Sequence, residues 1–184
     1  MKKSISGVTI ELRQGDIANQ GDCEAVVNAA NAQLETGGGV AGAIHTAAGP
    51  ELASEARPMA PIKPGEAVIT KAYNLPNQYV IHCLGPVYGQ DQPEEDRLLA
   101  NCYSNALELA EEKQISSIAF PAISTGIFGY PVEDAAKVAF TKIIESISSF
   151  KHLKNIIFVL YSEKDLNVHK RVLEQIMQGK EYLG

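Results

Sequence analysis

The sequence has few of the residues that mark disulfide-rich and metal-binding proteins. It has no tryptophan, and its three cysteines, Cys23, Cys83 and Cys102, are widely spaced and outside any Cys-x-x-Cys or Cys/His pattern. A disulfide framework or a zinc site needs a recognisable spacing of such residues. We therefore expect three free thiols and no metal site.

Long hydrophobic runs are absent as well. The longest apolar stretches, such as residues 156–161, have the length of a strand, whereas a membrane-spanning helix needs about 20 apolar residues. The N-terminal Met1-Lys2-Lys3-Ser4 leads at once into an alternating segment and not into the apolar part of a secretory signal. The sequence thus predicts a cytoplasmic protein without a membrane partner.

Positive charge is scarce. Lysine and arginine number 16 against 22 aspartates and glutamates, which gives a formal net charge of -6. This balance disfavours general binding to DNA or RNA. An anionic ligand would need a local site, which backbone N–H groups at helix starts and in glycine loops can provide.

Strand-like and helix-like segments alternate along the chain. Residues 8–13 alternate apolar and polar side chains, as in a half-buried strand. Apolar or β-branched runs predict buried strands at 25–27, 68–69, 79–83, 115–120 and 156–160. Helical spacing of apolar residues predicts helices at 94–113, 132–150 and 165–178.

This alternation predicts an α/β fold, namely a three-layer α/β/α sandwich with a central mixed sheet. The length and the even composition predict a single domain over residues 1–184, with the proline-rich stretch 57–64 as a connecting loop. Ligands in such folds bind at the carboxyl ends of strands. The unusual residues of this sequence follow predicted strands.

The first unusual cluster follows the predicted strand 25–27. It contains Asn28 and Asn31, then Gly37-Gly38-Gly39, and an expected helix start near Val40. The glycines leave backbone N–H groups uncovered and permit positive φ, which suits a phosphate or a ribose. Each asparagine can donate and accept hydrogen bonds. A flexible turn with capping asparagines is the alternative.

The second cluster follows the predicted strand 115–120. Its hydroxyl and glycine residues are Ser124, Thr125, Gly126 and Gly129. They form a second cradle suited to a phosphate, without the lysine of a P-loop or the Gly-x-Gly-x-x-Gly of a dinucleotide fold. Phe128 and Tyr130 are expected to flank a ribose or shield the site from water. An ordinary strand-to-helix turn is again the alternative.

Two further residues lie at strand ends. Asp16 either caps a turn or accepts a hydrogen bond from the exocyclic amine of a purine. Tyr161 either closes the core or stacks on an aromatic base. Taken singly, cap and core are the favoured interpretations. Their occurrence together with the two loops at strand ends favours a ligand site.

The histidines have separate expectations. His45 follows the triple glycine, and a structural role is the alternative to a catalytic one. His82, inside a predicted strand, is expected to be a core residue with satisfied hydrogen bonds. His152 and His169 are expected at the surface.

Together, these motifs resemble the macrodomain family over nearly the whole chain. The resemblance rests on Gly15-Asp16-Ile17, Val27-Asn28-Ala29-Ala30-Asn31, Gly37 to His45 and Ile123 to Pro131. Segments 47–49, 65–70 and 79–86 are similar to the MacroD-type branch. The resemblance implies that the ligand is ADP-ribose, either free or attached to another protein. We expect the chain itself to be a monomer.

The resemblance also implies roles for individual residues. Asp16 would bind the adenine amine with the N–H of Ile17 nearby, Tyr161 would stack beside the adenine, and Asn31 would reach the distal ribose. The diphosphate would lie between two loops. The residues implied for these loops are Gly37, Gly38, Gly39 and Val40 in the first, and Ser124, Thr125, Gly126, Ile127 and Phe128 in the second.

One position departs from the MacroD-type pattern. That branch has an aspartate after Gly-Gly-Gly-Val, where this chain has Ala41, so the catalytic set that the resemblance implies is reduced to Asn28, Asn31 and His45. Losing one proton-handling group commonly costs about two to four orders of magnitude in rate. Other macrodomain branches with Val-Ala-Gly at this place are still hydrolases.

The resemblance therefore implies a hydrolase for mono-ADP-ribosyl esters on proteins, which also deacetylates O-acetyl-ADP-ribose. In MacroD-type relatives a water is positioned by the phosphate of the ligand and by the loop. Ala41 favours the alternative, a reader module that binds ADP-ribose without chemistry. A third hypothesis is another nucleotide or a poly(A)-like RNA, and the net charge of -6 counts against RNA.

Overall fold

Seven strands form one mixed sheet in the computed structural model, which describes residues 1–181. The strands are β1 (Lys2–Ile5), β2 (Val8–Gln14), β3 (Ala25–Ala29), β4 (Ala67–Lys71), β5 (Tyr79–Cys83), β6 (Ser117–Phe120) and β7 (Asn155–Leu160). Their order across the sheet is β1-β2-β7-β6-β3-β5-β4. The outer strands β1 and β4 are antiparallel to their neighbours, and the inner pairs are parallel.

Helices cover both faces of this sheet. They are α1 (Gly39–Ala48), α2 (Glu51–Ala56), α3 (Glu95–Glu112), α4 (Val132–Ser146) and α5 (Glu163–Glu181). Helix α4 packs between α3 and α5, and α1 packs with α2. Along β3, Val27 packs into the core with α3, α4 and α5, whereas Val26 packs into a second core with α1 and α2. The predicted three-layer fold is thus confirmed.

The apolar strand runs reflect burial on both faces. All residues of β6 and the last five of β7 are buried. Aromatic rings extend the larger core, with ring centroids 5.6 Å apart for Phe120 and Phe158 and 4.9 Å for Phe140 and Phe158. Since β2, β7, β6 and β3 are neighbours and parallel, their carboxyl ends meet at one edge of the sheet. None of the helices described in residues 1–181 is long and apolar enough to cross a membrane.

Two elements were not predicted, and some boundaries differ. Strand β1 and the six-residue helix α2 lie outside every predicted segment. The strand predicted at 115–120 begins at Ser117. The helix predicted at 132–150 ends at Ser146 and continues as a short 3-10 turn, and another such turn, Arg57–Met59, lies in the proline-rich stretch.

His169 is a core residue, so its predicted surface position was wrong. Its side chain is 1% exposed, and its ring packs against Phe140 and Phe158 at 5.8 and 6.0 Å. Burial lowers its pKa. Val172 and Leu173 lie three and four residues further along α5 and are also buried. The helical spacing of the sequence therefore already indicated that His169 lies on the buried face of this helix. His152 lies partly exposed near the surface.

Glu111 closes the turn between α4 and β7, and its replacement should reduce stability. Its carboxylate accepts backbone N–H bonds from Lys151, His152 and Leu153 at 2.9, 3.0 and 2.7 Å. Burial raises the pKa of Glu111, but these donors together lower it more, so the pKa lies below its ordinary value. We expect Glu111→Gln to lower the free energy of unfolding, because a neutral amide accepts these N–H bonds more weakly than a carboxylate does. The loss should be only about 1 kcal/mol, since solvent screens this partly exposed site.

Urea unfolding at pH 7 measures the effect of Glu111→Gln. The control is Glu112→Gln, which changes the exposed neighbouring residue in the same way. Equal unfolding midpoints for the two variants would contradict a stabilising role of the Glu111 carboxylate.

Candidate active site

A cavity of about 270 Å³ opens at the carboxyl ends of β3 and β6. The two glycine-containing clusters of the sequence form its opposite walls. Its lining consists of Ala29, Ala30, Asn31, Gly37, Gly38, Gly39, Val40, Ala41, Gly85, Ala122, Ile123, Ser124, Gly126, Ile127 and Phe128. Within the described residues, none of the lining side chains is ionisable. Any charge on a ligand must therefore be balanced here by backbone dipoles.

The first wall is the N-terminus of α1. Gly38 precedes the helix without a capping side chain, and Gly39 has a φ of +56°, a left-handed conformation that favours glycine. A Cβ at Gly42 would lie 2.6 Å from the carbonyl oxygen of Gly37, so the loop packs closely on the helix. The first-turn N–H groups carry the positive end of the helix dipole and suit an anion.

The second wall is the loop after β6, and its hydroxyls hold the loop together. The Ser124 hydroxyl donates to the carbonyl of Pro86 at 2.8 Å, and the Thr125 hydroxyl donates to the carbonyl of Ala122 at 2.8 Å. Ser124 is buried with a φ of +69°, a strained conformation for serine that this anchoring hydrogen bond supports. In this structure the two hydroxyls thus shape the loop.

The backbone of this second loop supplies the free donors. The N–H groups of Gly126, Ile127 and Phe128 have no protein acceptor within residues 1–181, and all three residues line the cavity. Ile127 is 99% exposed at the loop tip. Two sets of backbone donors therefore flank one cavity, an arrangement that suits a diphosphate.

Asn31 lines the cavity, but its amide is partly occupied. Its Nδ2 donates to the carbonyl of Glu35 at 2.8 Å, and its Oδ1 accepts from the N–H of Glu35 at 3.0 Å. This pair closes the turn that contains Leu34, whose φ is +57°. One amide proton and one lone pair remain for a ligand hydroxyl.

Asn28 and His45, the other two predicted catalytic residues, are buried behind the cavity. Asn28 is 0% and His45 is 4% exposed, and neither lines the cavity. The Nδ2 of Asn28 lies 3.1 Å from Nδ1 of His82, whose Nε2 lies 2.9 Å from the Thr70 hydroxyl. The prediction that His82 is a hydrogen-bonded core histidine is confirmed. Burial lowers the pKa of His45, and burial together with nearby His45 lowers that of His82 to about 3.

The two aromatic residues of the second loop have different positions. Phe128 lines the cavity and packs against a small core cluster with Leu34 and Leu84. Tyr130 is 1% exposed, and its hydroxyl donates to Asp96. The expectation that Tyr130 flanks a ribose was therefore wrong, because its ring and hydroxyl are both engaged inside the fold.

Asp16 and Tyr161 follow the ends of two neighbouring strands, β2 and β7. The N–H of Gly15 donates to the carbonyl of Leu160 at 3.0 Å, which joins the two strand ends. Tyr161 is 90% exposed, so it does not close the core. Asp16 caps a turn by accepting from the N–H of Ala18 at 2.9 Å. These residues lie outside the cavity lining, on the side of β7.

Gly85 is a lining residue that the sequence reasoning missed. It follows β5, and a Cβ there would collide with the side chains of Ser124 and Ile123. The Gly85-Pro86 step after a buried strand was the available signal, since it has the same strand-end position as the two predicted clusters.

A mixed α/β/α sandwich with an uncharged cavity between two N–H-rich loops defines an anion-binding domain. The chain belongs to the macrodomain family, because a family model described as Macro domain matches residues 27–139. It is 49% identical over 150 residues to a macro domain-containing protein of Chlorobaculum tepidum, covering 82% of this chain and 87% of that one.

Two further relatives have names that describe an activity. The O-acetyl-ADP-ribose deacetylase of Cronobacter sakazakii is 43% identical over 170 residues, covering 90% of this chain and 94% of that one. The ADP-ribose glycohydrolase MACROD2 of Xenopus laevis is 44% identical over 168 residues, covering 90% of this chain but 40% of that longer one.

Solved structures show the same fold with nucleotides. The Oceanobacillus iheyensis macrodomain with ADP has a TM-score of 0.92 and 41% identity, covering 97% of both chains. The Trypanosoma brucei macrodomain in complex with ADP-ribose has a TM-score of 0.81 and 34% identity, covering 89% of this chain and 68% of that one.

Proposed function

We propose that this macrodomain binds ADP-ribose and hydrolyses mono-ADP-ribosyl esters on acidic side chains of proteins, and that it deacetylates O-acetyl-ADP-ribose. The observation that carries the proposal is the pair of backbone donor sets across one cavity. With a net charge of -6 and no ionisable side chain among the described residues of the lining, the protein would bind a diphosphate through N–H dipoles. No cofactor is needed for ester hydrolysis.

The order of the strands supports one direction for the ligand. The adenine would lie at the ends of β2 and β7, between Asp16, the N–H of Ile17 and the exposed ring of Tyr161. The diphosphate would follow at the loop after β6, opposite α1. The distal ribose would then reach Asn31 after β3, with its free amide proton and lone pair.

The proposed chemistry uses the ligand as its own base. Ala41 has no group that could take a proton, and its cavity neighbours have none. The attacking water would therefore be held by the backbone of the two loops and would bond to the carbon of the ester linkage as the C–O bond to the leaving group breaks. It would lose its proton toward a phosphate oxygen of the ligand, from which the proton can pass to the leaving oxygen. The relative named O-acetyl-ADP-ribose deacetylase and the one named ADP-ribose glycohydrolase support a hydrolytic activity.

Calorimetric titration with ADP-ribose, followed by hydrolysis assays on the same preparation, tests this function. The substrates are a protein mono-ADP-ribosylated on glutamate and O-acetyl-ADP-ribose. We expect one ligand per chain and turnover of at least one substrate. Absence of binding would contradict the proposed site itself.

A reader module is the second candidate, and Ala41 favours it. Because the lining has no ionisable group within residues 1–181, the same cavity would hold ADP-ribose and leave the ester intact. Binding without turnover of either substrate would establish this alternative.

A further inference from the structure

A chain of buried polar side chains crosses three strands behind the cavity. It begins at Asn28 on β3, continues through His82 on β5, and ends at Thr70 on β4. Asn28 and His82 are directly paired across the parallel strands. Their side chains are 0% exposed, and that of Thr70 is 2% exposed, so solvent does not compete for these hydrogen bonds.

The hydrogen bonds of this chain have one consistent direction. The Thr70 hydroxyl lies 3.0 Å from the carbonyl of Lys71 and 2.9 Å from Nε2 of His82; when it donates its single proton to the carbonyl, it accepts from His82. The proton of His82 is then on Nε2, and its Nδ1 carries a lone pair. Asn28 can therefore donate from Nδ2 to Nδ1 at 3.1 Å. This direction sets the orientation of the Asn28 amide.

This orientation of the Asn28 amide leaves its oxygen, Oδ1, without a partner among the described residues. Within the described residues, Oδ1 of Asn28 and both ring nitrogens of His45 are buried and unpaired. The His45 ring centroid lies 6.3 Å from that of His82, so these groups belong to one buried cluster. Leaving buried polar groups unpaired costs free energy. These groups therefore point to a hydrogen-bonding partner, either a ligand group or a water, in the functioning protein.

The cluster adjoins the cavity through α1. His45 follows Ala41 by four residues, so the two lie on the same helix face one turn apart. Ala41 lines the cavity and Ala29 does so directly after Asn28. Ala41, whose side chain is a single methyl group, is thus the lining residue one helical turn before His45.

We propose that His82 is a positioning residue that acts through Asn28. Held in its Nε2–H form by Thr70, it turns the Asn28 amide so that Oδ1 accepts a hydrogen bond from a ligand hydroxyl or water at the inner end of the cavity, beside His45. The role of His82 in turnover rests on the proposed hydrolase function. The His82 tautomer and the orientation of the Asn28 amide are independent of that function.

The test compares Thr70→Val with the conservative control Thr70→Ser. Valine has nearly the same shape but no hydroxyl, so the Nε2–H of His82 would lose its acceptor. We expect His82 to change to the Nδ1–H form and the Asn28 amide to turn over. Turnover should then fall roughly 10-fold, because a misplaced group slows the reaction, while ADP-ribose affinity changes by less than about threefold. Serine should retain the wild-type rate.

Nitrogen-15 NMR of the imidazole rings reports the tautomer directly, and melting temperatures report folding. An Nδ1–H tautomer in the wild-type protein would overturn the assignment, whatever the activity. So would an unchanged rate in folded Thr70→Val, or an equal loss of rate in both variants. If the wild type binds ADP-ribose without turnover, the hydrolase proposal and the effect of His82 on turnover both fail, and the tautomer measurement still decides the orientation of Asn28.

Discussion

Replacing Gly38 by glutamate is expected to weaken ADP-ribose binding by at least roughly 100-fold, since bringing like charges together costs several kcal/mol. Gly38 lines the cavity at the start of α1, where the diphosphate would lie. Its φ of -90° suits any residue, and a Cβ there would meet no atom of the described part of the chain within 4 Å. The new carboxylate would therefore occupy the anion site without disturbing the fold. Calorimetry with ADP-ribose measures the loss.

Two controls separate the causes of that loss. Gly38→Gln adds a side chain of the same size without charge, so it should retain part of the affinity. Gly179→Glu places the same charge on α5, at an exposed glycine where an added Cβ would meet none of the described atoms within 4 Å. It should bind like the wild type. Near wild-type binding by folded Gly38→Glu would show that the diphosphate lies elsewhere.

The parts of the fold that the sequence predicted are those with a strong hydrophobic pattern. The parallel strands β3, β6 and β7 are buried on both faces, and the long helices α3 and α4 have clear apolar stripes. Strand β1 escaped prediction because its four residues include two lysines and gain their structure by pairing with β2. Helix α2 has six residues, too few to show a helical period.

The site could be predicted in outline because glycines and asparagines followed strands. What the pattern could not show is which side of a loop faces the ligand. The hydroxyls of Ser124 and Thr125 suggested ligand donors, yet each bonds a backbone carbonyl of the fold. Asn28 and His45 are buried and do not line the cavity for a similar reason, since strand pairing and helix packing set the directions of their side chains. Such directions depend on tertiary contacts between distant segments.

Replacing Ala41 by aspartate is expected to raise turnover by about 100-fold, within the range that a positioned proton acceptor contributes. Ala41 lies in the first turn of α1 and lines the cavity, so a carboxylate there would face the attacking water. The helix N-terminus favours a negative charge at this place. Repulsion from the diphosphate should weaken ADP-ribose binding, by less than about 10-fold because the helix dipole offsets part of it. Steady-state kinetics on the glutamate-linked substrate and calorimetry measure the two effects.

Ala41→Asn distinguishes proton transfer from simple orientation of water. Asparagine has the shape and the hydrogen-bonding oxygen of aspartate but cannot accept a proton at neutral pH. If the gain depends on a base, only the aspartate variant will show it, and the wild-type enzyme relies on the phosphate of its ligand instead. An equal gain with asparagine would mean that the wild-type cavity lacks a water-orienting group and not a base. No gain with either residue would mean that the backbone of the two loops and the ligand already hold the water in place, and that Ala41 costs this macrodomain nothing in rate.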